Sequence, residues 1–332
     1  MSKMETEEVD TNTKVLTVSV AAYNVEATLR QTLDSLTAPE VQDALEVLIV
    51  NDGSSDTTPE IALEYEEKYP ETFRLITKEN GGWGSTLNTG IEQAKGKYYK
   101  PLDGDDFFLP EDLPLFLDFL RGTDADLVLT PFGIVEYESG GLLSVVSRIR
   151  EFMMVQKTLD MRELRPFFPA IHAAAVCTKV LQDAAVRITE HCFYTDLEFM
   201  VKAVNVCQTF NYMELPVYMY RVGRDGQSMS VSGIRRHYRE HQQVLLTCLD
   251  YWKQEVTDPY KKELLEERLL KASAVSSAGN ITGDADLFFM SGKKFLNLLR
   301  KFHFAGYKIL GRQNTRQDYR LKRHIFEDLK LK

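Results

Sequence analysis

The stretch YYKPLDGDDFF, Tyr98 to Phe108, places three aspartates within four positions, directly after an apolar and aromatic-rich run. Carboxylates this close repel, and each raises the pKa of its neighbours unless a cation sits between them. A divalent ion resolves the repulsion, because Mg²⁺ or Mn²⁺ is commonly held by one or two carboxylates together with substrate phosphates. Asp103 and Asp105 are therefore candidates for holding a metal-bound phosphorylated ligand. The plainer alternative is a solvated acidic turn capping the next helix. It fits less well after a strand that reads as buried and central.

Three further clusters could share that chemistry. NDGSSD, Asn51 to Asp56, is a turn sequence by composition. It also puts Asp52 where a carboxylate could accept a hydrogen bond from a base or sugar. NGGWGS, Asn80 to Ser85, has glycines that let a backbone approach a ligand, ahead of a helix start. It matches neither the dinucleotide fingerprint nor the phosphate-binding loop of NTPases. YRVGRDGQSMS, Tyr220 to Ser230, offers Arg221, Arg224, Ser228 and Ser230, donors suited to phosphate oxygens. Glu190, Asp196 and Glu198 in ITEHCFYTDLEF are candidates for a general base. They could equally be acids at a helix start. His172, His191, His237 and His241 show no metal-ligand spacing. His237 and His241, four apart among Arg and Glu, are expected on a solvated helical face.

The elements that must position these groups follow a rhythm. Val15–Ala22, Leu45–Val50, Phe73–Thr77 and Lys97–Leu102 are short apolar runs that read as buried strands. Amphipathic segments separate them, one closed by Gly96, and another begins near Pro110 and ends at Gly122. DLVLTPF reads as a fifth strand. The alternation implies βαβ units and a mostly parallel sheet. Ligands sit outside the carboxyl ends of such strands. AYNVE, NDGSSD, KENGGWGS and DGDD each follow one of the first four strands, so all four clusters are expected at one edge. Farther on, a hairpin is expected around Gly140-Gly141. HAAAVCTKVLQDA and YTDLEFMVKAVNV are expected to be helical, and ELPVYMYRV a strand. Three regions are expected: a disordered tail over 1–13, a catalytic domain over 14–232 and a helical region over 233–332.

With 332 residues and 44% hydrophobic content, the chain can bury a substantial core. A net charge of -9 argues against a nucleic-acid partner. Ser291–Lys332 reverses the sign, with 12 Lys and Arg against 3 Asp and Glu. Within it, Gly292–Leu310 has a basic amphipathic pattern. That pattern suits peripheral contact with an anionic membrane, or packing on the catalytic domain. Four dispersed cysteines, an acidic N-terminus unlike a signal peptide and no 18-residue apolar run fit a cytoplasmic protein.

Taken in order, these motifs resemble the inverting family 2 glycosyltransferases. The resemblance runs from about Val15 to Ser230 and is carried by VSVAAYNVEATLRQTLDSL, VNDGSSDTT and ENGGWGSTLNTGIEQAKGKYYKPLDGDD. It implies the GT-A nucleotide-sugar fold, a mostly parallel central sheet flanked by helices, here followed by the helical C-terminal region. It also implies a nucleotide-sugar donor, a UDP-sugar first, and a divalent cation, Mn²⁺ or Mg²⁺. Ala21 and Tyr23 would lie against the nucleobase, Asp52 would bond the base edge, and Gly81 and Gly82 would lie near the nucleoside. Asp103 would touch the ribose or the metal shell, and Asp105 would bind the cation. Asp196 corresponds to the catalytic base. Arg221, Ser228 and Ser230 correspond to the loop that closes over the diphosphate. The acceptor would be a bacterial surface glycan or its lipid-linked precursor.

This chain departs from the family at three places. Ala21 stands where proline is usual, Thr195 stands where a Glu usually precedes the base, and Arg224-Asp225 stands where a His is common. Asp196 remains the expected base with Glu198 behind it, and Asp225 is the candidate for a second metal ligand. Two rival readings are weaker. A nucleotidyltransferase should carry a Gly-rich basic loop after the first strand, and AAYNVEA is neither. A non-catalytic nucleotide-sugar sensor would need no base, and Asp196 argues against it.

Overall fold

Short apolar runs rich in Val, Leu and Ile cannot stay exposed, and a strand buried on both faces needs no polar alternation. The computed structural model of this chain, which describes residues 14–147, 157–164, 168–224 and 231–279, shows four such runs as parallel neighbours. They are β1 (Leu16–Ala22), β2 (Leu45–Asn51), β3 (Phe73–Thr77) and β4 (Tyr98–Asp103). β1 lies between β2 and β4, with Leu16 opposite Leu45 on one side and Tyr98 on the other. The helices α1 (Leu29–Asp34), α2 (Thr58–Lys68) and α3 (Trp83–Gln93) connect them.

Beyond β4 come β5 (Phe107–Phe108), α4 (Leu113–Gly122), β6 (Leu127–Leu129), β7 (Phe132–Glu136), β8 (Leu142–Val146) and β9 (Leu159–Asp160). Next are β10 (Ala174–Cys177), α5 (Thr178–Asp183), α6 (Thr195–Val206), β11 (Thr209–Tyr212) and β12 (Tyr218–Val222). The helices α7 (Val231–Gln254) and α8 (Pro259–Gly279) follow. The large sheet runs β3-β2-β1-β4-β10-β6-β11-β9, and a smaller one runs β5-β12-β7-β8.

Side chains alternate across the large sheet into two cores. Val18, Val20, Tyr98 and Val128 face the cluster formed with α1, α2 and α4. Tyr99, Leu127, Leu129 and Val176 face the other cluster, which takes in Phe199 of α6, Leu245 and Trp252 of α7, and Leu265 of α8. Asp258 starts α8 by accepting from the backbone N–H groups of Tyr260 and Lys261 at 2.8 and 3.0 Å, an N-cap worth about 1 kcal/mol.

Two expected elements are rearranged. DLVLTPF is not one strand: Leu127–Leu129 joins the large sheet and Phe132–Glu136 the small one. Pro131 has no N–H for a central ladder, so the chain leaves the sheet there. HAAAVCTKVLQDA is not one helix. A 3₁₀ turn over Ile171–Ala173 leads into β10, antiparallel to both β4 and β6, and only Thr178–Asp183 is helical. Alanine favours helices, but the gap between β4 and β6 leaves two rows of unpaired backbone groups. Filling it satisfies both rows, and Ala174, Ala175 and Val176 are fully buried there. The hairpin at Gly140-Gly141 is present as β7–β8. The basic stretch from Ser291 onward lies outside the described residues.

Candidate functional site

The carboxyl ends of β1 to β4 are sewn together by side chains of the loops that follow them. Asn24, after β1, accepts at Oδ1 from the Ser55 N–H at 2.9 Å, and its own N–H donates to Ser54 Oγ. The Gly104 N–H donates to the carbonyl of Ala21 at 3.0 Å, so the aspartate-rich turn rests on the end of β1. Ala21 lies beside Asp103 in the strand register, and Tyr23 projects outward, 52% exposed.

Asp52 is only 2% exposed and organises the loop after β3. Its Oδ1 accepts from Lys78 Nζ at 2.7 Å, the Gly81 N–H at 2.9 Å and Ser85 Oγ at 3.1 Å. Its Oδ2 accepts from the Gly82 N–H at 2.8 Å. Gly82 adopts a positive φ of 78° that L side chains rarely take. Lys78 was not anticipated from the sequence, although a lysine directly after a strand at the carboxyl edge is the signal that would have found it.

The turn after β4 holds three carboxylates in three settings. Asp103 accepts at Oδ1 from the indole N–H of Trp83 at 2.6 Å. Burial, then the neighbouring Asp105 charge, pushes its carboxyl up to about 7, and the Trp83 bond pulls it partly back. Asp105 pairs with Arg224, its Oδ2 3.0 Å from Nη2. Asp106 is fully buried and accepts from the Tyr218 hydroxyl at 2.6 Å and the Arg221 N–H at 2.7 Å. Burial, with Asp103 and Asp105 adding to it, holds its carboxyl well above the usual range.

Arg221 is buried beneath this turn. Its guanidinium donates to the Asp105 carbonyl and lies 4.7 Å from the centre of the Phe107 ring. Ser228, Ser230 and Asp225 lie outside the described residues.

Beside the turn, Lys100 is wholly buried in β4. Its ammonium donates to the carbonyls of His172 and Ala174 at 2.7 and 3.1 Å, and burial brings it down to about 7. The His172 ring is packed by Phe132, Tyr218 and Tyr220, with centroids 5.2, 5.1 and 4.5 Å away. Burial, then the Lys100 charge, lowers it to about 3, so the imidazole is neutral at ordinary pH. Ligand-capable atoms of Asp103, Asp106 and His172 all lie within 4.8 Å of one another, the one such trio among the described residues. Sequence spacing could not show this, because the histidine reaches the turn only through β10.

The first turn of α6 supplies Asp196. Its side chain is open to solvent, yet surrounding protein raises its carboxyl above the ordinary value. Its charge is near enough to raise Asp103 in turn. Glu198, the expected substitute, is committed elsewhere. It is buried, and it accepts from the Thr189 N–H at 3.0 Å and from Lys202 Nζ at 2.6 Å.

The loop before α6 is strained. His191 and Tyr194 have positive φ, and the His191 N–H donates to the Gly81 carbonyl at 2.5 Å. That bond ties the base loop to the glycine loop. His237 and His241 are not on a solvated face. His237 stacks on Phe193 at 3.8 Å and lies 2.7 Å from Glu240, and the His241 ring meets Tyr194 edge-on. The helical period placed them together. It could not show which face of α7 meets the loop.

Residues 17–181 match the family model described as Glycosyl transferase family 2. The chain is 38% identical over 129 residues to EpsH of Bacillus subtilis (strain 168), which takes in 39% of this chain and 36% of EpsH. It is 25% identical over 229 residues to the minor teichoic acid biosynthesis protein GgaB of the same strain, which takes in 68% of this chain and 25% of GgaB. The matches therefore span about a third of the length of EpsH and a quarter of that of GgaB. A crystal structure of S. aureus TarS 1–349 in complex with UDP-GlcNAc is similar in fold, with a TM-score of 0.58 and 19% identity. That likeness covers 95% of this chain and 80% of that one. The fold is the expected GT-A type, a large mixed sheet flanked by helices.

Proposed function

We propose, for a chain that belongs to glycosyl transferase family 2, that it moves a sugar from a nucleotide-sugar to an acceptor hydroxyl with inversion at the anomeric carbon. One observation carries the reading: α6 delivers Asp196 to the edge of the sheet where Asp103 ends β4, near enough for their charges to interact. An inverting transfer needs a base on the face of the anomeric carbon opposite the departing diphosphate, and Asp196 is the candidate for that place.

The residues divide into roles along the donor. Ala21 and Tyr23 lie against the nucleobase, Asp52 bonds its edge through Oδ2, which accepts only from the Gly82 N–H, and Gly81 and Gly82 flank the nucleoside. Ser228 and Ser230 are assigned to the diphosphate, and Arg221, buried beneath the aspartate turn, braces that turn rather than covering the phosphates. TarS is described with UDP-GlcNAc, which favours a UDP-sugar here. The name of GgaB favours a surface-polymer acceptor, and the basic Ser291–Lys332 stretch suits an acceptor at an anionic membrane.

The turn also fits a divalent cation, Mn²⁺ or Mg²⁺. Asp103 is pushed up to about 7 by burial and by Asp105, so a bound cation would let the cluster ionise. Asp103 and Asp105 would hold it, with Arg224 releasing Asp105. Such a cation would offset charge developing on the departing diphosphate. Asp196 takes the proton of the acceptor hydroxyl as its oxygen bonds the anomeric carbon from the face opposite the diphosphate. The bond from that carbon to the diphosphate oxygen breaks, and its electron pair leaves with the nucleoside diphosphate.

The experiment is release of nucleoside diphosphate from UDP- and GDP-sugars, with Mn²⁺ and then with EDTA, for the wild type, Asp105→Ala and Asp196→Asn. Metal-dependent release from one UDP-sugar is expected, followed by transfer to acceptor that Asp196→Asn strongly reduces. Wild-type transfer by Asp196→Asn would remove the base, and wild-type rates in Asp105→Ala would remove that metal ligand. Donor binding without turnover, by calorimetry on the same panel, would favour a sensor. Unchanged liposome association after deleting Ser291–Lys332 would remove the membrane contact.

A further inference from the structure

We propose that His172 supplies a nitrogen ligand to the divalent cation of this site, in a protein shell it shares with Asp103 and Asp106. The inference rests on the cation reading given above and assigns two ligands that reading lacks, His172 and Asp106.

Three observations converge on it. The ligand-capable atoms of the three side chains lie within 4.8 Å of one another. Opposed or adjacent ligands of one small cation have that order of separation when each bond is about 2.0–2.2 Å. Second, among the described residues neither ring nitrogen of His172 has a hydrogen-bond partner. The half-buried ring nitrogens are thus not committed to a protein partner and are open to a ligand.

Third, the ring is held. Phe132, Tyr218 and Tyr220 pack around it, and Lys100 grips its backbone carbonyl at 2.7 Å. The carboxylate partner is oriented as well. Each oxygen of Asp106 accepts one protein hydrogen bond, from Tyr218 or from Arg221, and keeps a lone pair. These contacts fix the orientation of the candidate ligands before any ion arrives. Asp105 differs, since it is paired with Arg224 and reaches the ion only by giving up that partner.

A nitrogen ligand has a chemical consequence. An all-oxygen shell suits Mg²⁺, whereas one imidazole shifts preference toward Mn²⁺ and further toward Co²⁺. The protein should therefore favour those ions over Mg²⁺ beyond what carboxylates alone would give.

The test uses the full chain with Mn²⁺ alone, read by pulsed EPR for nitrogen hyperfine coupling to the bound ion. A ¹⁴N coupling is expected in the wild type. It should change to the ¹⁵N pattern when histidine is ¹⁵N-labelled and disappear in His172→Gln. In competition titrations, His172→Gln should lose roughly tenfold or more in Co²⁺ affinity, since even outer-shell partners cost ten- to hundredfold. Mg²⁺ affinity should fall less.

Bound Mn²⁺ without histidine coupling overturns the His172 assignment and leaves the cation reading intact. A coupling that persists in His172→Gln does the same. No Mn²⁺ binding at millimolar concentration overturns both. If His172→Gln does not fold, His172→Asn takes its place, and the labelled wild type still decides whether any histidine binds the ion.

Discussion

The indole N–H of Trp83 donates to Oδ1 of Asp103 at 2.6 Å, joining the first residue of α3 to the last residue of β4. The bond crosses the mouth of the site and fixes the carboxylate that is central to the proposed chemistry. A hydrogen bond to an ionised group contributes about 1.5–3 kcal/mol. Trp83→Phe keeps most of the packing and removes the donor. Binding of UDP in the presence of Mn²⁺, measured by calorimetry, is expected to weaken by roughly tenfold or more, with the fold intact by circular dichroism.

Asp196 is raised above its ordinary value by its surroundings, and it must be ionised to act as a base. Transfer should therefore be lost as pH falls, along an acidic limb lying above the usual aspartate range. Asp196→Asn should reduce transfer by about 10² to 10⁴ and leave UDP binding within about twofold of wild type, since the contribution of a base appears at the transition state. A pH–rate profile and a binding titration on the two proteins check both statements.

Asp103 has a folded value of about 7 against an ordinary 3.8, and Asp106 is shifted the same way. The unfolded chain releases these protons first as pH rises. The stability these groups contribute is therefore complete below about 4 and is lost as pH climbs through about 7. In EDTA, Asp103→Asn should match the wild type in melting temperature near pH 4.5 and exceed it at pH 8. Mn²⁺ binds the ionised form and should narrow the gap at pH 8. An equal gap with and without Mn²⁺ would show that the ion binds elsewhere.

Gly84 is the closest approach between α3 and the segment before α6. A Cβ there would lie 2.1 Å from the carbonyl oxygen of Thr189, a backbone atom. Gly84→Ala must push that segment away and should cost about 1–3 kcal/mol or more in urea unfolding. Because Thr189 leads into the base loop, transfer should fall further than donor binding does.

The parallel strands and their order of loops were legible because each signal is local. A β-branched apolar run, a Gly or an Asp after it, and a helical period all lie within about ten residues. Asn24, Asp52, Gly82 and Asp103 accordingly meet where the carboxyl-edge rule puts them. Propensity misled at Ala174–Cys177, where an alanine-rich run fills the gap between two buried strands. There the demand of unpaired backbone outweighed the preference of the side chains.

The sequence by itself determined the alternating framework, the four polar loops at one edge and the family to which the motifs belong. Only the tertiary structure decided what each aspartate of the turn does. Asp103 faces Trp83, Asp105 faces Arg224, and Asp106 is buried against Tyr218, 112 residues away in the chain. It also removed Glu198 from contention by pairing it with Lys202, and it brought His172 to the turn through a strand that did not look like one. Carboxylates one or two residues apart look alike in sequence, but their charge state depends on burial and on partners. Those partners are set by which distant segments the fold packs against them.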